Sequence, residues 1–92
     1  MRASIAVDPA VLATYVGVYE LPTFSIAITL ENGQLMARAT DQQKFQMFAE
    51  SPSRFFLKAV IAQLEFFTEP DGRVSHLVLY QSGGDLRGER KQ

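Results

Sequence analysis

The chain has 92 residues, with nine basic and ten acidic side chains and a net charge of -1. That balance excludes a nucleic-acid footprint, which needs a basic face, and the absence of cysteine excludes disulfides, thiol catalysis and Cys-based metal sites. With 47% apolar residues, among them seven Phe and three Tyr, there is material for one small domain whose stability must come from its core.

The single domain is expected over 1–92, structured from about 7 to 90, with tails at 1–6 and 91–92. Met1–Val7 lacks the apolar segment of a signal peptide, and no apolar run approaches the ~20 residues that span a bilayer. Asp8 can cap a short helix with Pro9 at its first position, where the missing N–H costs nothing. Val11, Leu12 and Tyr15 are expected to cover one end of the core, and Gly17 to end the helical stretch.

From there the period changes to the alternation of half-buried strands. Val16–Leu21 is the first strand, interrupted by Pro22 and Thr23. Ser25–Glu31 turns Ile26, Ile28 and Leu30 to one face. Asn32-Gly33 between two alternating runs is a strong hairpin signal, since both residues tolerate positive φ. Gln34–Thr40 returns with Leu35, Ala37 and Ala39 inward, and Asp41-Gln42-Gln43 is a polar turn. Phe45–Glu50 and the short Arg54–Lys58 flank Ser51-Pro52-Ser53. Ile61–Thr68 is long and β-rich, although Ala59-Val60-Ile61-Ala62 is apolar for a loop. Glu69-Pro70-Asp71-Gly72 is a tight reversal into Arg73–Gln81. Ser82-Gly83-Gly84-Asp85 reverses again into Leu86–Lys91, a strand broken by Gly88. About eight short strands at this spacing predict an all-β antiparallel meander, closed into a barrel or half-barrel.

No residues assemble a catalytic constellation. His76, the one histidine, lies in a strand, with Val74, Val78 and Tyr80 expected on its face. A base needs a nucleophile and an orienting group, and one His with scattered carboxylates makes no metal site. Ser51, Ser53 and Ser82 fall in turns, and none has a lysine three residues on. Alternation turns Glu65 outward and Leu64 and Phe66 inward. Gly83-Gly84 lacks the strand–loop–helix context of a phosphate site. Arg87, Arg90 and Lys91, with Glu89 among them, read as a solvated tail.

A small barrel cannot turn all ten aromatics inward. Phe48, Phe56, Phe67 and Tyr80 fall on the outer face. A contiguous apolar patch there marks an interface; scattered surface apolars or a register one residue off are the alternatives. The expected interior comprises Ile26, Ile28, Leu30, Leu35, Phe45, Phe55, Leu64, Phe66, Leu77 and Leu79.

Taken in order, Val7-Asp8-x3-Leu12-x2-Tyr15-Val16-Gly17-x-Tyr19, Glu31-Asn32-Gly33-x-Leu35, Phe45-x3-Ala49-Glu50-Ser51, Phe55-Phe56, Leu64-x-Phe66, Pro70-Asp71-Gly72-x-Val74 and Leu77-x-Leu79 resemble a known domain. It is the lipocalin-like domain found at the C-terminus of many serine hydrolases of the β-lactamase/penicillin-binding-protein type. The resemblance implies a small eight-stranded barrel, placed behind a catalytic domain that holds the Ser-x-x-Lys nucleophile and a Tyr base. None of those motif residues maps onto this chain. A periplasmic or secreted location is implied by the resemblance alone.

Three functions are thus open. The first is a non-catalytic accessory domain that packs on a hydrolase domain in cis or on a second copy, without cofactor. The second is a small apolar-ligand binder, for which an eight-stranded barrel is about the minimum size; the ten large interior residues favour a packed core instead. The third, an independent enzyme, has no nucleophile–base pair to support it.

Overall fold

A computed structural model describes residues 5–58, 62–81 and 84–91. One five-residue helix, α1 (Pro9–Ala13), precedes eight strands: β1 (Gly17–Glu20), β2 (Ser25–Glu31), β3 (Gln34–Ala39), β4 (Lys44–Ala49), β5 (Arg54–Leu57), β6 (Ala62–Thr68), β7 (Val74–Gln81) and β8 (Gly84–Arg90). Each strand pairs antiparallel with the next, and β1 pairs with β8, so the meander closes into a barrel. Closure removes the unpaired edges that would otherwise template association. Among the described residues no helix is long and apolar enough to cross a membrane.

Local chemistry sets the boundaries. The Asp8 carboxylate accepts from the Ala10 N–H at 2.8 Å, and Pro9 occupies the first helical position. The helix stops at Ala13 with Thr14 as its cap, three residues before Gly17. Gly17 instead opens β1 with φ 156°. Asn32 and Gly33 have φ of 53° and 79°, the two positive values a type I′ hairpin needs. The β6–β7 turn is held by the Gly72 N–H on the Glu69 carbonyl (2.8 Å) and the Arg73 N–H on the Asp71 carboxylate (2.9 Å). The apolar run at 59–61 and Ser82-Gly83 lie outside the described residues.

Three expectations need correction. Val74 does not share the outward face of His76: Phe67 pairs with His76 and Thr68 with Val74, a bulge that flips Val74 into the core. Gly88 does not break the last strand. It pairs with Leu77 inside an unbroken β8 that starts at Gly84 rather than Leu86. Val11 does not cover the core; it is 38% exposed, while Leu12 and Tyr15 are buried.

The core fills the barrel and is sealed at one end by α1 and the turn after it. Tyr15 stacks on Phe66 (centroids 4.2 Å, interplanar angle 9°) and meets Phe55 edge-on at 5.8 Å. Its hydroxyl donates to the Pro52 carbonyl at 2.7 Å, and the Tyr19 hydroxyl donates to the Tyr15 carbonyl at 2.8 Å. Buried phenols thus keep their hydrogen bonds while their rings supply apolar area. Burial raises both phenols, that of Tyr19 to about 12. At the ends of the chain, the Ile5 N–H donates to Ala49 and the Lys91 N–H to Val18.

Eight of the ten expected interior residues are buried: Ile26, Ile28, Leu35, Phe55, Leu64, Phe66, Leu77 and Leu79. Leu30 and Phe45 are only half-buried, because each sits near a rim of the barrel rather than in its middle.

Candidate functional site

Three places on the surface could act on something else. The first is the outer face of β4 to β7. Cross-strand register lines up Phe48 with Phe56, Phe56 with Gln63, and Gln63 with Tyr80. The next row holds Arg54, Glu65 and Val78, and Phe67 faces His76. All four outward aromatics therefore lie on the outside of the barrel.

They are nonetheless largely covered. Phe56 is only 6% exposed, under the ring of Phe48 at 5.7 Å. Lys58 lies 4.2 Å above the Phe48 ring, and the Arg54 guanidinium 4.7 Å above that of Tyr80, positions in which a cation gains from the ring's negative face. Arg54 also donates to Gln63 at 2.5 Å and stands 3.7 Å from both Glu50 and Glu65. The Tyr80 hydroxyl donates to Glu65 at 2.8 Å. That bond to a carboxylate raises the phenol's pKa, with desolvation adding to it. Phe67 stacks on His76 (4.8 Å, 8°). The face is thus a lattice of rings and charges rather than a bare apolar patch.

The His76 surroundings contain one pair that the sequence search did not consider. The Ser75 hydroxyl lies 2.7 Å from His76 Nδ1 and 3.3 Å from the Phe67 carbonyl. Ser75 is the bulge residue, so its side chain is spent on bridging the irregular pairing. Among the described residues no carboxylate is hydrogen-bonded to His76 Nε2, so the pair lacks the third member that activates a serine. Among the described residues no group of three or more His, Asp and Glu could hold a metal.

The second place is a groove of about 300 Å³ between the N-terminal arm and β3–β4, lined by Ile5, Val7, Leu12, Met47 and Phe48 among others. Ile5, 46% exposed, and Val11 are the exposed large apolar residues among those described. Phe48 belongs both to this groove and to the outer aromatic face, so the two surfaces are continuous.

The third is the barrel mouth opposite α1. It holds an apolar recess of about 160 Å³ between Phe24 and Phe45, floored by Leu64 and Leu79, with Gln81 at its rim. Of the expected lining residues, Ile26, Phe45, Leu64 and Leu79 border it. Ile28, Leu35, Phe55, Phe66 and Leu77 are packed into the core instead, and Leu30 packs against it. Ala37, Ala39 and Ala62 also border the recess. The signal for them was present in the sequence, as small residues at inward positions of β3 and at the start of β6.

Comparison with known proteins adds context. Residues 1–90 match the family model described as domain of unknown function DUF3471. The chain is also 35% identical over 86 residues to a penicillin-binding protein of Bacillus subtilis (strain 168). The match takes in 92% of this chain but 19% of that protein, so the chain spans about a fifth of the relative's length.

Proposed function

We propose, from the premise that this chain belongs to the DUF3471 family, that it is a non-catalytic accessory domain of a penicillin-binding-protein-type protein. The domain would stand C-terminal to the catalytic region and pack on it. The observation that carries this reading is the proportion of the match: nearly all of this chain resembles one fifth of a penicillin-binding protein. The barrel supports it, since Ser51 serves a turn and Ser75 a bulge, and His76 is stacked on Phe67 with no orienting carboxylate among the described residues. The eight-stranded closed meander likewise suits a lipocalin-like domain.

The packing surface we assign is the outer face around Phe48, Phe56, Phe67 and Tyr80, continued through Phe48 into the groove under Ile5. Half-covered rings rimmed by Arg54, Lys58 and Glu65 match the usual make-up of non-obligate interfaces, aromatic and Arg-rich with a polar rim. Self-association through the same face is the second form this reading takes.

Labelling with a fluorescent penicillin tests it. The Bacillus relative cut down to the part outside the aligned segment should retain the label, and the 92-residue chain should take none. Covalent labelling of this chain would place the nucleophile inside the barrel and overturn the proposal.

A further inference from the structure

The outer aromatic face carries two cations that are held in different ways. Arg54 lies 4.7 Å above the Tyr80 ring, donates to Gln63 and has Glu50 and Glu65 each at 3.7 Å. Lys58 lies 4.2 Å above the Phe48 ring, and among the described residues it joins no ion pair. The residues outside that set, 1–4, 59–61, 82–83 and 92, contain no Asp or Glu. No acidic side chain of this chain therefore neutralises Lys58. The Arg54 cluster is four residues back, about 13 Å along an extended strand.

In the free domain this costs little, because an exposed ammonium keeps its water and the ring adds a modest attraction. A docked partner changes that balance. Phe48 joins the outer face to the groove under Ile5, and it covers Phe56, which is 6% exposed. A body seated on Phe48 therefore takes water from Lys58 as well. A charge desolvated without an opposite charge is strongly unfavourable, and charges across an interface are arranged to be complementary. The Phe48 ring also fixes the ammonium beforehand, which lowers the entropy lost when a long side chain is ordered on binding.

We propose that the partner surface seated on Phe48 presents an Asp or Glu carboxylate to Lys58, beside an apolar side chain that packs on the Phe48 and Phe56 rings. The inference rests on the accessory-domain reading, so the occupant is the penicillin-binding region to which the domain is joined. It adds the chemistry of the contact: one carboxylate next to one apolar group, matched to one unneutralised ammonium next to a stacked pair of rings.

Zero-length cross-linking tests it. A carbodiimide joins an amine to a carboxylate in direct contact; an amide forms and the lost oxygen leaves in the urea. The sample is the Bacillus penicillin-binding protein with its aligned segment exchanged for this chain, and hydrogen exchange on the same sample reports whether the outer face is covered. The 92-residue chain has its own closed sheet and core, so it serves as the uncovered reference. The expected result is an amide between Lys58 and an Asp or Glu outside the exchanged segment, with β4 and β5 protected relative to that reference. The same amide is expected when the 92-residue chain is added to the relative lacking its aligned segment. Lys58→Arg keeps the charge, so it should keep the protection while losing the amide. Lys58→Glu sets like charges against each other and should cut the protection by roughly tenfold or more. Neither variant should move the melting temperature of the isolated chain appreciably, since the side chain is exposed and rests on one ring. A protected face without a Lys58 amide, or with an amide only to a carboxylate of a second copy, would overturn the inference and leave the accessory-domain reading standing. A face unprotected in the exchanged protein would overturn that reading, and this inference with it.

Discussion

Gly88→Ala is the most informative single substitution in the barrel, because two opposing effects give it opposite signs. Gly88 has no positive φ, so its backbone suits any residue. Replacing a strand glycine with alanine would then stabilise the fold by roughly 0.5–1 kcal/mol through the unfolded state. Against this, a Cβ at residue 88 would stand 2.8 Å from Leu21 Cδ1 and 3.0 Å from Leu21 Cγ, with Leu77 Cδ1 at 3.5 Å. Carbon atoms prefer about 3.5–4.0 Å, so Leu21 must retreat by most of an ångström. It is 4% exposed and backed by the core, which leaves little room. Overpacking of this kind costs about 1–3 kcal/mol, so the clash wins. The expected net loss is about 1–2 kcal/mol in urea unfolding followed by tyrosine fluorescence and circular dichroism, with the slope unchanged. Leu21→Ala alone should cost about 2–5 kcal/mol. The double variant should cost clearly less than the sum, because removing Leu21 removes the clash. A neutral or stabilising Gly88→Ala, or additivity within ~0.5 kcal/mol, would refute the close approach of β8 to the Leu21 turn.

Other substitutions read different parts of the fold. Leu77→Ala, at a fully buried position, should cost about 2–5 kcal/mol in the same unfolding assay. Asp8→Ala should cost about 0.5–2 kcal/mol, because the Ala10 N–H loses its acceptor. Alkali should destabilise through Tyr19. Burial raises its folded pKa to about 12 from an ordinary 10, so the protonated phenol is favoured in the fold. Its contribution is complete below about pH 10 and is lost as pH rises toward 12, on the order of 2–3 kcal/mol. Tyr19→Phe should flatten that part of the stability–pH curve, and an unchanged curve would show that Tyr19 is not the group responsible. Phe48→Ser should disturb stability little beyond the stack on Phe56 while weakening attachment to a penicillin-binding region, measured as lost protection of the outer face in hydrogen exchange.

Much of this barrel was legible in advance because its signals are local. Strict alternation in Ser25–Glu31 and paired positive-φ residues at Asn32-Gly33 specify a hairpin without reference to the rest of the chain. Asp8 and Pro9 specify the helix start in the same way. What escaped depends on partners distant in sequence. Val74 alternates with His76 on paper, and only the pairing with β6 introduces the bulge at Ser75 that turns it inward. Gly88 looks like a strand breaker until Leu21, 67 positions earlier, is placed against it. Alternation turns the outer aromatics away from the core, but their cover comes from other strands: Lys58 and Arg54 reach Phe48 and Tyr80. The recess at the mouth is likewise a sum over strands: β3 supplies Ala37 and Ala39, β4 Phe45, β5 Leu57 and β6 Ala62 and Leu64.

The role as an accessory domain is tested most directly by exchanging the aligned segment of the Bacillus penicillin-binding protein for this chain and comparing the chimera with the bare deletion. Both should take a fluorescent penicillin, since the nucleophile is expected outside the segment. The chimera should unfold in one coupled transition at a higher temperature than the deletion. If instead the two share the melting temperature of the catalytic part, and the barrel of the chimera melts separately at the temperature of the isolated 92-residue chain, then this domain does not pack on a penicillin-binding region.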